Sequence, residues 1–148
     1  MLRRVVQDDA STLARLRQAM WEEMNPGEPV DPSFRERTSV YWDAMLGDAG
    51  AAGWLVEVDG EPIGMVTLLL HHHPPLPWGE RRRGYVTGVY VAPEHRRQGH
   101  GRALLQAAIA FGREHGLQQL ELRTSEQGRL LYTALGFTSH ELLMLKLD

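Results

Sequence analysis

The chain has 148 residues, of which 43% are hydrophobic and 24% charged, a balance that fits one globular domain spanning 1–148 with a single core. A formal net charge of −3 gives no bulk attraction to nucleic acid or to an anionic membrane, so neither is expected as a partner. Cysteine is absent, which excludes disulfides, thiol nucleophiles and thiolate metal sites.

The chain opens with "MLRRVVQDDAST", which lacks the apolar run of a secretion signal, and the longest apolar stretch, "MVTLLL", is too short to cross a bilayer. Cytoplasm is therefore the expected compartment. "LRRVV" reads as a first strand. Asp8 or Asp9 then caps a helix in which Leu13, Leu16, Met20 and Met24 recur at helical spacing. "NPGEPVDPS" ends that helix, and Asp31-Pro32 reads as the start of a second, which carries Phe34, Thr38, Tyr41, Trp42 and Met45 and stops at Gly47. "WLVEVDGEPIGMVTLLL" is a hairpin turning at Asp59-Gly60. "HHHPPLPWGERRR" reads as a loop, because its prolines lack the donors a ladder needs, and "GYVTGVYV" as a strand. A long helix follows, with Leu104, Leu105, Ala108, Ile109 and Phe111 on its buried stripe and Gly116 after its last turn. "LQQLELRT" is a strand, "SEQGRLLYTALG" a short helix capped by Thr124 or Ser125, and "FTSHELLMLKL" a closing strand. The order β-α-α-β-β-β-α-β-α-β describes a mixed α/β layering of sheet and helices.

The densest chemical signal lies at the mouth of the long helix, in "APEHRRQGHGRALL". The first turn of a helix presents N–H groups without intrahelical partners and about half a unit of positive charge. Gly99 and Gly101 let an anion approach that backbone, and Arg96, Arg97 and Arg102 add forked donors suited to phosphate. A pyrophosphate is the natural guest. The P-loop pattern is absent, because no Lys-Ser/Thr pair follows Gly101, and Leu104 stands where a dinucleotide-binding turn needs its third glycine.

Two linked stretches, "VYVAPEHRRQGHGRALL" and "SEQGRLLYTALGF", resemble the GNAT superfamily of N-acetyltransferases. The resemblance is strong from about Val86 to Phe137 and looser elsewhere. It implies a mixed, mostly antiparallel sheet of six to seven strands with about four helices, splayed between the fourth and fifth strands. It also implies acetyl-CoA as cosubstrate, with Arg96, Gly99 and Gly101 matching the family's pyrophosphate turn. The intervening Arg97, Gln98 and His100, with Arg102, complete the cofactor-binding segment. Val89, Tyr90 and Val91 match the strand that pairs with the pantetheine arm. Tyr132 matches the tyrosine placed beside the sulfur and is the catalytic candidate. Ser125, standing where the family usually has asparagine, is a further cofactor contact. Arg97 and Gly128 depart from the family pattern, which usually has glycine and alanine there.

Acetyl transfer needs a neutral amine, a polarised carbonyl and a proton for the leaving thiolate. A backbone N–H from Val91 or a neighbour suits the carbonyl, and the Tyr132 hydroxyl suits the thiolate. The general base stays open among Tyr90, Glu80, His71, His72, His73 and a water chain. The three histidines alternate faces on a strand and have no completing ligand, so no metal is expected. Met20, Met24, Tyr41 and Trp42 fall where the family builds its acceptor pocket, and Glu22, Glu23 and Asp31 are candidates for holding a cationic acceptor. The remaining tryptophans read as core, and Arg81 to Arg83 as a solvated run. The resulting expectation is an acetyl-CoA-dependent N-acetyltransferase acting on a primary amine of a small molecule or protein by direct attack on the thioester. Two rivals stand beside it: a non-catalytic acyl-CoA-binding regulatory module, and an RNA-directed acetylating toxin, which the net charge disfavours. A homodimer is the base-rate expectation for assembly.

Overall fold

A computed structural model describes residues 1–147. The chain runs β1 (Leu2–Arg4), α1 (Ala10–Met24), α2 (Phe34–Gly47), β2 (Ala51–Val58), β3 (Glu61–Leu76), β4 (Gly79–Val91), α3 (His100–Glu114), β5 (Gln119–Leu122) and α4 (Arg129–Ala134). The strands lie in the order β1-β2-β3-β4-β5. Every neighbouring pair is antiparallel except β4–β5, which is parallel. The expected α/β architecture with four helices is therefore present. Among the described residues the sheet has five strands, fewer than the six to seven expected.

The unbroken apolar runs of β2 and β3 follow from burial on both faces. On one face α3 lays Leu104, Ala108 and Phe111 over Trp54, Val66, Leu68 and Val86. On the other, α1 and α2 set Leu13, Leu16 and Trp42 against Leu55, Met65 and Tyr90. Side chains such as Leu13, Leu55, Leu68 and Leu104 are completely enclosed, and each contributes about 1.5–3 kcal/mol by leaving water. At the N-terminus, the Asp9 carboxylate accepts from the Val6 N–H at 2.8 Å and from the Arg3 guanidinium at 2.8 Å. That guanidinium holds the Asp9 carboxyl below the usual range. The second helix starts at Phe34, two residues beyond Pro32, because Asp31 caps the Ser33 N–H at 2.8 Å.

One irregularity organises the sheet. In the β3–β4 ladder Thr67 faces Gly88 and Leu68 faces Val86, which leaves Thr87 without an opposite number. This bulge adds one residue to β4 and reverses the alternation of its side chains. Val86 packs towards α3, and beyond the bulge Val89 and Val91 do so too, whereas Tyr90 belongs to the α1/α2 side. At the same point β4 parts from β5. The parallel ladder joins Arg83–Val86 to Gln119–Leu122 and goes no further.

Three expectations are corrected. The segment read as a loop at 71–83 instead extends the β3–β4 hairpin, with His71 opposite Arg83, His72 opposite Arg82 and His73 opposite Arg81. Its prolines are tolerated because the ladder shifts between His73 and Leu76 and β2 has already ended opposite Leu69, so few donors are required there. The closing strand does not form. Residues 138–147 take no regular structure, and Leu142, Leu143, Met144, Leu145 and Leu147 are exposed. An apolar, strand-like pattern needs a ladder to join, and β5 offers only four residues. Finally, Trp42 and Trp54 are core, but Trp21 and Trp78 are exposed, Trp78 lying at the tip of the long hairpin.

Candidate active site

The β4–α3 connection is built from backbone. After Val91 a 3-10 turn (Pro93–His95) leads to Arg96 in extended conformation, Arg97 with φ +62° and Gly99 with φ +84°. Left-handed residues set within right-handed and extended ones turn successive N–H groups inward and make a concavity for an anion. The N-terminus of α3 opens on the same segment. Gly99 has nothing within 4 Å of where a Cβ would stand, so the backbone there is open to a ligand. Arg97, by contrast, carries a side chain in a conformation that costs about 1–2 kcal/mol for an L-residue.

The arginines divide into two kinds. Arg97 and Arg102 are exposed and make no ion pair among the described residues. Arg96 is fully engaged. Its two terminal nitrogens donate to Glu23 on α1 at 2.6 and 2.7 Å, and its Nε donates to the Val91 carbonyl at 2.8 Å. Its guanidinium also lies 5.7 Å from the centre of the Tyr90 ring. The pairing depresses the Glu23 pKa and raises that of Arg96. Arg96 thus ties α1 to the mouth of α3, and its side chain is turned away from the concavity. His100 occupies the first position of α3, where its Nε2 is shielded without a partner among the described residues.

Beside this turn runs the edge that β5 has left. The Ala92 N–H donates to Ile63 on β3 at 2.8 Å, while the Val91 carbonyl points outward to Arg96. The alternation of a strand then turns the N–H groups of Val91 and Val89 to the open edge, free to pair with an extended ligand. Tyr90 points to the opposite face and is 8% exposed. Burial, followed by the Glu23 carboxylate, raises its pKa, so the phenol stays protonated at neutral pH and is a poor general base. His71 and His73 sit out on the hairpin, where His71 stacks with Tyr85 at a ring separation of 6.5 Å. Glu80 lies at the far end of the same hairpin, eleven residues from Val91 in the sequence. Among the described residues no three His, Cys, Asp or Glu side chains gather.

Tyr132 lies on α4, whose Leu131 comes within 3.6 Å of where a Cβ on Gly101 would stand. The tyrosine ring folds back over the start of its own helix. A Cβ at Gly128 would meet its Cε2 at 2.5 Å and its hydroxyl oxygen at 2.8 Å, so the departure from alanine at 128 is what gives the ring its place. Burial alone raises the Tyr132 pKa, which keeps the hydroxyl protonated. Ser125 is exposed and turned inward on its own loop, where its Oγ accepts from the Gly128 N–H at 3.1 Å. Its hydroxyl thus supports the turn that carries Tyr132. A cavity of about 900 Å³ extends from Tyr132 along the outer edge of β5 to residues 137–142. It exists because that edge has no further strand.

A second cavity, of about 410 Å³, opens on the other face between α1, α2 and the sheet. Arg17, Arg37, Tyr41 and Trp42 line it from the helices, and Leu69 and Thr87 form its floor. It therefore ends at the bulge where the sheet opens. Of the pocket residues expected from the sequence, Tyr41 and Trp42 are here, Met20 reaches towards Gly88, and Met24 is exposed. Arg17 and Arg37 carry no apolar signal and were not singled out by periodicity. Their side of each helix becomes readable only when α1 and α2 are placed over the sheet.

Comparison with known proteins agrees with this geometry. The family model "Acetyltransferase (GNAT) family" matches residues 13–137. Aminoglycoside N(6')-acetyltransferase type 1 of Stenotrophomonas maltophilia is 29% identical over 143 residues, covering 95% of this chain and 87% of its own. N-acetyltransferase 8 of Homo sapiens is 29% identical over 113 residues, 74% of this chain, and the match spans only 48% of the human protein. Among solved structures, a predicted acetyltransferase with acetyl-CoA from Clostridium acetobutylicum covers 99% of the chain and 95% of its own at TM-score 0.88 and 23% identity, a likeness of fold. A GCN5-related N-acetyltransferase from Ralstonia eutropha JMP134 covers 99% of the chain and 97% of its own at TM-score 0.83 and 27% identity. The amide-lined turn, the parted strands and the family match over most of the sequence lead to one conclusion: this chain belongs to the acetyltransferase (GNAT) family.

Proposed function

We propose that the protein is an acetyl-CoA-dependent N-acetyltransferase that moves an acetyl group to a primary amine by direct attack on the thioester. The observation that carries this reading is the joining of a left-handed backbone turn at 97–99, open at Gly99 and leading into the α3 N-terminus, to an unpaired strand edge at Val89 and Val91. The first suits a diphosphate and the second an extended arm bearing amides, and few ligands other than a coenzyme A ester combine the two. The fit rests on the open space at Gly99 and on the outward N–H groups.

When bound, acetyl-CoA supplies an acyl group already activated as a thioester. The chain's own residues supply position and charge. The N–H groups of the 97–101 turn, the α3 N-terminus and the exposed Arg97 and Arg102 hold the diphosphate, while Gln98 and His100 flank it. The Val91 N–H donates to the carbonyl oxygen as negative charge develops there, an effect of about 3–4 kcal/mol in a dry site. The Tyr132 hydroxyl, kept protonated by burial, holds the proton that the departing thiolate needs. Arg96 acts through Glu23 and Val91 to fix the turn. The acceptor enters from the α1–α2 side, where the second cavity meets the bulge at Thr87.

Thiol release from acetyl-CoA on an amine panel, together with calorimetric titration of coenzyme A, tests this reading. Binding in the micromolar range with amine-dependent thiol release is expected. Failure to bind coenzyme A at high micromolar concentration would overturn it.

A further inference from the structure

We infer that the α1–α2 cavity selects an amine whose aromatic or apolar body carries an anionic group, held by Arg17 and Arg37. The inference rests on the acetyltransferase reading for its kinetic arm only.

The charge balance of the cavity carries it. Two guanidinium groups line the space, and no carboxylate does. Neither arginine has an ion-pair partner among the described residues. Arg17 is half-buried, and its one hydrogen bond is a long one, 3.5 Å to the Thr87 carbonyl. Arg37 spends only its Nε, on the Ser33 hydroxyl at 2.9 Å. The acids that might have received a cation are committed elsewhere. Glu23 is paired with Arg96, Glu22 accepts from Gln18 at 2.7 Å, and Asp31 caps Ser33. Asp31 is the carboxylate nearest in effect, since Arg37 contributes to its lowered pKa, but Ser33 is the larger cause and Asp31 does not line the space.

The walls add the second half of the preference. Phe34, Tyr41 and Trp42 line the same space as the arginines, with the Tyr41 and Trp42 rings edge-on at 5.1 Å. A volume of about 410 Å³ suits a small molecule rather than a protein loop. A forked guanidinium beside a flat apolar wall binds a carboxylate or phosphate on an aromatic body and rejects a polycation through like-charge contact. The Stenotrophomonas relative is named for aminoglycosides, which are polycations. This cavity carries charge of the same sign and would repel them.

The test uses benzylic amines that differ in one para substituent: the anionic group of 4-(aminomethyl)benzoate or 4-(aminomethyl)phenylphosphonate, the uncharged amide of 4-(aminomethyl)benzamide, and the second ammonium of p-xylylenediamine. Binding of the corresponding N-acetyl products is measured by calorimetry at fixed chloride, and thiol release with the free amines follows. We expect at least one anion to bind about tenfold more tightly than the amide, the gain of one well-placed charge-assisted pair. The better of carboxylate and phosphonate identifies the anion. Arg17→Gln and Arg37→Gln, each checked by thermal melting, should remove most of the preference for the anion over the amide. Equal binding of anion and amide, tighter binding of the cationic product, or a preference untouched in both variants would overturn the inference. A binding preference without acetyl transfer to any amine would support the site and count against the acetyltransferase reading instead.

Discussion

The two halves of this site are made of different material. The turn between β4 and α3 is a backbone device. Its shape comes from two left-handed residues and a helix end, and side chains contribute little beyond Arg96, which acts as a brace. The α1–α2 cavity is a side-chain device whose walls are also the core of their layer, since Trp42 is 2% exposed. A backbone device keeps its specificity through many substitutions, because every residue offers an N–H. A side-chain device changes its guest whenever its lining changes, and can do so only where the core allows.

That contrast can be broken in several ways. The largest effect belongs to the cavity's shared wall. Trp42→Ala should cost about 3–5 kcal/mol of stability in denaturant titration, as for other buried aromatic truncations. A loss below about 1 kcal/mol would mean that the wall is not core. Next comes Tyr132, the proposed proton donor. Tyr132→Phe should lower kcat about 100-fold with little change in the KM for acetyl-CoA. Gly128→Ala should move in the same direction, since the new methyl must displace the ring. Third, Gly99→Val places a β-branched side chain at φ +84° and should weaken coenzyme A binding about tenfold, whereas Arg97→Gln should change it much less. If the side-chain substitution proved the more damaging, the turn would not be a backbone device.

The brace gives a smaller, pH-dependent effect. Because the Glu23 pKa is lowered in the folded state, its pairing with Arg96 is at full strength above the ordinary carboxylate range. It fades as pH falls through the lowered value. Both partners are about one-third exposed, so solvent screening holds the contribution to about 0.5–1 kcal/mol. Glu23→Gln should therefore lower the melting temperature slightly at pH 7, and the difference from the parent should vanish in strong acid. Smallest of all, Arg97→Gly relieves the left-handed side chain but frees the unfolded chain, leaving a net change within about 1 kcal/mol. Retained coenzyme A affinity in that variant would confirm that the backbone carries the contact.

The same contrast explains what could be read from the sequence. Glycines at 99 and 101 beside arginines, ahead of an apolar helical stripe, state a backbone geometry directly, and α3 begins at His100 as that pattern requires. Tyr132 was legible through its neighbours at 135–137. Arg17 and Arg37 were not legible, because a charged residue on a helix is silent until the helix is docked. Glu23, one of three candidates for holding a cationic acceptor, is the partner of Arg96, a pairing between residues 73 positions apart that no local pattern encodes. The hairpin at 71–83 was misread because prolines argue against a strand only where their missing donors are required. The tail at 138–147 has an apolar, strand-like character without a neighbour to complete it.

Thr87 has no counterpart on β3, yet both halves of the site depend on it. Drawing that residue into the ladder opposite Thr67, instead of bulging it out, would slip the rest of β4 by one place and turn it over. Tyr90 would then look towards α3, the valines towards α1, and the N–H groups of Val89 and Val91 would meet β3 instead of the open edge. The two faces of this sheet stay in register because the strand between them carries one amino acid that the ladder leaves out.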